Sequence, residues 1–328
     1  MAMNRRTIIE AAAVFPAGFL SNFASAGETL PSLKLLLGFP AGGPTDVTAR
    51  VLAEKLNGGY ARTVVVENRP GSGGRIAAQA ACVAAPDGAT ILITPAPVVT
   101  LLPHVFTSMP YNALTDLVPV SRVCDFVHGL AIGPAVPESV QTLRQFLAWC
   151  KRNPGEVSCA NPGEGSSPQF LTHMLSRAAG VEIQPVSYKG PGPGLIDVVG
   201  GSIAAIMTPP DGTFLQYQKA GKIRVLATSG AERSQFFPSV PTFTEAGYES
   251  MVLKEWIGAF MPAKTPTAII ERASTAIRTA LAQKDVLKKF ADLTFVPAPS
   301  TPTELGKSVK AQYEFWKSAV KTSGFKLL

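Results

Sequence analysis

Short apolar runs alternate with segments of helical period along this chain, and Gly/Pro-rich breaks separate them. The mostly apolar run at 33–39 has the length of a buried strand, and Val47, Val51 and Leu56 then recur on one side of a helix. Strands follow at 63–68 and 90–94, with a helix at 75–85 between them. This β-α-β-α-β order at short spacing predicts a parallel sheet covered by helices on both faces. Unbroken apolar strands agree, because a central parallel strand is buried on both sides.

A longer strand-rich passage at 118–132 carries the chain out of this unit, and the pattern then restarts. Helices are predicted at 143–152, 170–179, 195–200 and 213–220. Strands are predicted at 157–160, 183–188, 203–207 and 225–229. In the 143–152 helix, Leu143, Phe146, Leu147 and Cys150 share the buried side. The strand at 225–229 reads as the return crossing. Two further helices, 267–282 and 302–320, are expected to pack back on the first unit. The reading is thus two α/β domains with a ligand cleft between them, lined by the loops at the strand ends.

The break Pro40-Ala41-Gly42-Gly43-Pro44 stands between the first strand and the first helix, with Asp46 in the first helical turn. Such a turn leaves several N–H groups pointing one way, and the helix dipole adds about half a positive charge there. It suits a carboxylate or a phosphate without any charged side chain. A tight strand-to-helix turn also needs glycine for steric reasons alone. No Lys-Ser or Lys-Thr follows the glycines, and the third glycine of G-x-G-x-x-G is missing, so no nucleotide fingerprint is present.

Composition narrows the classes. The 328 residues suffice for about two domains, and 46% hydrophobic with 16% charged residues excludes a disordered chain. The formal charge of +7 is spread without a basic run or an aromatic-interleaved stripe, so nucleic acid is not expected as a partner. Arg5 and Arg6, an apolar stretch at 7–20 interrupted by Glu10, and Ala24-Ser25-Ala26 form a secretory signal peptide, residues 1–26, removed near Ala26. Its apolar run is too short for a membrane span. The paired arginines leave both the general secretory and the twin-arginine routes open. The mature chain is expected in the periplasm.

Export permits disulfides, but Cys82, Cys124, Cys150 and Cys159 lack framework spacing and are expected to be small buried side chains, a Cys150–Cys159 bridge being the open alternative. His104, His128 and His173 are scattered, and no metal site is expected. Ser166 and Ser167 lack the glycines of a hydrolase elbow, and His173, seven residues past Ser166, reads as a helix-surface or packed histidine rather than a base. Asp46, Asp87, Glu164 and Asp211 have capping or turn explanations. No catalytic residue and no cofactor is therefore expected. The enzymatic rival is an exported Rossmann-like oxidoreductase, with Glu67 at the ribose position but without the glycine fingerprint. A ligand sensor for a signalling partner is a further alternative.

Several motifs occur together and in order: FPAGGPTDVTAR (39–50), VVVENRPGSGG (64–74), APDGATILI (85–93), PYNALTDLVPVS (110–121), GEGSSPQFL (163–171), VSYKGPGPGLIDVVGG (186–201), AGKIRVLATSG (220–230), FPSVPTFTEAGY (237–248) and EWIGAFMPAKTP (255–266). Together they resemble the Bug family, the periplasmic solute receptors of tripartite tricarboxylate transporters. The resemblance implies a type II periplasmic-binding-protein fold, in which two domains joined by crossing strands close on a ligand. It places domain 1 at 27–124 plus 226–328 and domain 2 at 125–225. It implies a small carboxylate ligand, inner-membrane permease subunits as partners, and a monomeric receptor.

The family's carboxylate loop, which uses backbone groups and ordered waters, falls on Phe39, Ala41, Gly42, Gly43, Thr45 and Asp46. The opposing loop would offer Ser166 and Ser167. Gln169 stands where many members have histidine. Thr94 and Ala96, with Tyr188, Thr208, Pro209 and Asp211, would line the pocket wall. Asp46 has a second reading, as a helix cap or as a partner of Arg50 four residues on.

Overall fold

The computed structural model describes residues 29–323; the expected signal peptide at 1–26 lies outside them. The chain order is β1 (Leu30–Leu37), α1 (Pro44–Leu56), β2 (Ala61–Asn68), α2 (Arg75–Cys82), β3 (Thr90–Pro95) and two short helices, α3 (Pro97–Thr100) and α4 (Leu102–Val105). Then come β4 (Leu117–Val127), β5 (Gly129–Ile132), α5 (Leu143–Arg152), β6 (Ser158–Asn161), α6 (Ser167–Ala179), β7 (Gln184–Ser187), α7 (Pro191–Val199), β8 (Ala205–Thr208), α8 (Gly212–Lys219) and β9 (Arg224–Thr228). The chain finishes with β10 (Lys254–Pro262), α9 (Thr267–Leu281), α10 (Lys284–Asp292), β11 (Val296–Pro297) and α11 (Pro302–Ser323).

Among the described residues these strands form two sheets, ordered β11-β4-β10-β3-β1-β2 and β7-β6-β8-β5-β9. β1 pairs in parallel with both β2 and β3, and its alternate residues enter different cores: Leu35 and Leu37 on one face, Leu36 on the other. That two-sided burial is why the run is apolar throughout. β6, β7 and β8 repeat the parallel arrangement in the second sheet. Three apolar layers result. One lies under α1, α9 and α10 (Leu52, Ile277, Phe290), and one lies beyond the second sheet (Leu195, Val198, Phe214). The third runs from the α2 and α11 side of the first sheet into the α5 and α6 side of the second (Leu36, Trp316, Phe170, Phe146).

The expected strand passage at 118–132 is two strands. β4 belongs to the first sheet, β5 to the second, and His128 is the single residue between them. The return runs from β9 in the second sheet through 229–253 to β10 in the first. The expected domain boundaries at 124/125 and 225/226 therefore fall inside β4 and β9. The crossing is laced by hydrogen bonds. The His128 N–H donates to Ser229 Oγ (2.9 Å), the Ser229 N–H to the His128 carbonyl (2.9 Å), and Ser229 Oγ to the Leu253 carbonyl (2.6 Å).

The first domain also contains β10, which the sequence reading did not assign as a strand. It inserts between β3 and β4, antiparallel to both. α7 starts at Pro191, inside the stretch read as a loop, because proline suits the first helical turn. The four cysteines are free, and burial pushes the Cys150 and Cys159 thiols up to about 12.

Candidate functional site

The C-terminal ends of β1 and β2 carry the loops 38–43 and 69–74, that of β3 is joined to α3 by Ala96 alone, and those of β6, β7 and β8 carry 162–166, 188–190 and 209–211. Contacts between the domains bring the two loop sets together. Ser167 Oγ donates to Glu255 on β10, Thr294 Oγ1 donates to the Pro210 carbonyl (2.6 Å), and a Cβ on Gly73 would lie 3.8 Å from the Glu164 carbonyl oxygen. Open α/β sheets bind ligands at this kind of place, beyond the carboxyl ends of parallel strands.

On the first wall, Asp46 organises the loop rather than facing out of it. It is buried, and its carboxylate accepts from the Gly42 N–H (2.9 Å), Arg50 Nε (2.8 Å) and Asn68 Nδ2 (2.9 Å). Burial alone would raise its pKa. The bonds from Arg50, the Gly42 amide and Asn68 outweigh burial and hold the carboxyl below its ordinary value. Asn68 also donates to the Phe39 carbonyl (3.0 Å), so the end of β2 pins the start of the loop. Gly42 has φ +80°, where glycine costs nothing.

Gly43 is the residue before α1, in an extended conformation with φ −76° and ψ 166°, and α1 has no side-chain cap. The helix closes its first turn with the Val47 N–H on the Gly43 carbonyl. The amides of Thr45 and Asp46, ahead of that bond, have no acceptor among the described residues. Ala41 and Gly42 are exposed, and a Cβ built at Gly42 or Gly43 meets no atom of the second domain within 4 Å, so there is room in front of the loop. Phe39 lies beside Gly74, where an added Cβ would stand 3.3 Å from its ring. Thr94 and Ala96 are buried, with the Ala96 N–H donating to the Trp256 carbonyl.

The second wall is held from within. Ser166 is the N-cap of α6 and accepts from the Gln169 N–H, while Gln169 Oε1 accepts from the Gly165 N–H (2.8 Å). Asn161 Oδ1 accepts from the Gly163 N–H (3.2 Å) and from Ser187 Oγ (3.1 Å). Tyr188 is turned toward α7. Its hydroxyl donates to Asp197 (2.6 Å), and burial together with that carboxylate pushes it up to about 12. Asp211 caps α8 through the Phe214 N–H (2.9 Å). Thr208 is buried beside half-buried Pro209, and its hydroxyl lies 3.3 Å from the Pro209 carbonyl.

Sequence reasoning missed Glu255 and His128. Glu255 is buried, and its second oxygen lies 2.9 Å from Nε2 of buried His128. The carboxylate thus stands between serine and imidazole, whereas serine hydrolysis needs the imidazole against the hydroxyl. A separate hollow of about 430 Å³, lined by Gln141, Thr142, Gln218 and Arg224 among others, shares no residue with these loops.

A family model described as tripartite tricarboxylate transporter family receptor matches residues 48–325. The chain belongs to that family. BugT of Bordetella pertussis is 36% identical to this receptor over 307 residues, covering 92% of the chain and 93% of BugT. A solved R. palustris protein with adipate is 27% identical with a TM-score of 0.84, covering 90% of this receptor and 98% of that protein. MatC from Rhodopseudomonas palustris with bound malate is 28% identical with a TM-score of 0.79, covering 88% and 98%. The receptor therefore has the two-domain α/β fold of periplasmic solute-binding proteins.

Proposed function

We propose that this receptor captures a small carboxylate in the cleft between its two domains and presents the closed form to the permease of a tripartite transporter. It acts without catalysis, as an exported monomer trimmed near Ala26. The first domain is 29–127 plus 254–323 and the second 129–228, joined at His128 and through the return segment 229–253. The observation that carries the reading is the uncapped start of α1, where the Thr45 and Asp46 amides have no internal acceptor in front of an open loop. Amides at a helix start favour an anion, and a charge-assisted hydrogen bond is worth about 1.5–3 kcal/mol. The relatives seen with adipate and malate agree with a ligand of this class.

Ligand carboxylate is assigned to the backbone of Phe39, Ala41, Gly43, Thr45 and Asp46, the Asp46 side chain being committed to the loop. Ser166, the backbone amide of Ser167, Gln169 and Thr208 offer polar contacts opposite, and Thr94, Ala96 and Pro209 shape the wall. Gly42, Asp46, Tyr188 and Asp211 act by holding the loops in place.

The experiment is a thermal-shift screen of the mature chain against C4–C6 dicarboxylates, malate and adipate included, with their uncharged diesters as controls. A true ligand at a hundredfold excess over its Kd stabilises by about 2.7 kcal/mol. Gly43→Val tests the loop, because its backbone angles suit any residue and its Cβ meets only the Pro40 carbonyl, at 3.5 Å. The variant should fold normally and lose the ligand shift. Equal shifts from diacids and diesters, or full binding by Gly43→Val, would overturn the assignment.

A further inference from the structure

The Ser167–Glu255 contact joins the second domain to the first, beside the loops assigned to ligand. Ser167 is the first residue of α6, directly after its cap Ser166, and Glu255 is near the start of β10. Through its other oxygen Glu255 reaches His128, the single residue between β4 and β5. His128 is in turn laced to Ser229 and, through it, to Leu253, which precedes β10 by one residue. One buried polar chain thus runs from the start of a ligand-loop helix to the hinge. Ser167, Glu255, His128 and Ser229 are each at most 2% exposed.

We propose that Ser167 and Glu255 form a reversible latch that sets how readily the two domains close. Burying a carboxylate is costly unless its oxygens find partners. When the domains are together, Ser167 and His128 supply them. When the domains part, Ser167 leaves and water can take its place at the same oxygen. The carboxylate is therefore satisfied in both states. An apolar residue at 255 would strand the Ser167 hydroxyl on closing. A carboxylate without Ser167 would resist closing altogether. The pair makes closure reversible and leaves the ligand to decide it. Glu255 is on this view a positioning residue, acting through Ser167 and the hinge.

The test needs no ligand, so it stands even if the proposed carboxylate binding fails; its failure would in turn leave that binding untouched. Spin labels at Thr63→Cys and Lys189→Cys, both exposed and on different domains, report the inter-domain distance by electron–electron resonance in a Cys82→Ala background. Ser167→Ala and Glu255→Ala should each raise the open-to-closed ratio about ten- to a hundredfold, the range for a hydrogen bond to a charged group. Glu255→Gln, which keeps a neutral acceptor for Ser167, should give a ratio between those of the parent and Ser167→Ala. The double variant Ser167→Ala/Glu255→Ala should open no further than either single one, because both remove the same bond. Should Glu255→Ala fail to fold, Ser167→Ala and Glu255→Gln still decide. Unchanged distances in Ser167→Ala, opening in Glu255→Gln equal to that in Ser167→Ala, or additive effects in the double variant would overturn the latch.

Discussion

Asp46 is a single side chain on which the shape of the whole first loop depends. Its carboxylate gathers a glycine amide, an arginine and an asparagine from three places in the chain. Its folded pKa is depressed, so the stability it contributes is present above the ordinary carboxylate value of about 3.9 and is lost as pH falls through the folded value. Asp46→Asn should therefore cost about 1–3 kcal/mol at pH 7, the range for losing a charged hydrogen-bond partner, and less at an acid pH below the ordinary carboxylate value. Urea midpoints of the two proteins at both pH values measure this. An equal gap at the two pH values would show that charge is not what holds the loop. Half of this arrangement was legible in the sequence, since Arg50 lies four residues on and an i,i+4 pair can be read from spacing. The other half was not. Asn68 is 22 positions away, and Glu255 is 127 positions from His128. Only the folded sheets bring such partners together. The one local hint at Glu255 was a carboxylate at the head of the apolar run that fills the rest of β10.

Elements made of one strand, one turn and one helix were readable because each carries its own punctuation. α5 matches its expected span, with the capping box of Thr142 and Gln145 at its start. β10 carries no such mark, since its place between β3 and β4 is a matter of topology that no local pattern encodes. α10 was missed because its apolar face is only Val286 and Phe290 within a charged stretch. What the loop pattern did encode is close approach. A Cβ on Gly38 would fall 2.4 Å from the Gly74 Cα and 2.8 Å from its carbonyl oxygen, and neither backbone atom can move without shifting its loop. Gly38→Ala should push the β1–α1 and β2–α2 turns apart and destabilise the chain by about 1–3 kcal/mol, the usual cost of overpacking. Chemical denaturation measures that loss. A stability loss below ~0.5 kcal/mol would mean that the two turns do not need their mutual contact.

Across the whole molecule, the two domains are joined by more than the hinge. α11 lies against β4 and α3 in the first domain, yet fully buried Trp316 packs edge-on against Phe170 of α6, centroids 5.1 Å apart. About two turns further on, Arg177 of the same α6 donates to the Thr322 carbonyl (2.9 Å). The apolar layer through Trp316 is continuous from one sheet to the other. Domains that share a core should unfold together, whereas domains touching only at a polar cleft can unfold apart. The parent chain is thus expected to melt in a single calorimetric transition. Trp316→Ala removes the ring that packs on Phe170 within this layer, at a cost of about 3–5 kcal/mol. It should also split the melt, because the second domain keeps its own cluster around Leu195, Val198 and Phe214. The edge-on ring contact and the Arg177 bond sit on the α11 side, away from the Thr294–Pro210 contact. A persistent single transition in Trp316→Ala, with only a lowered Tm, would place the coupling instead in the hinge lacing of His128, Ser229 and Leu253. Two transitions already present in the parent would remove the shared core from the account of how closure is guided.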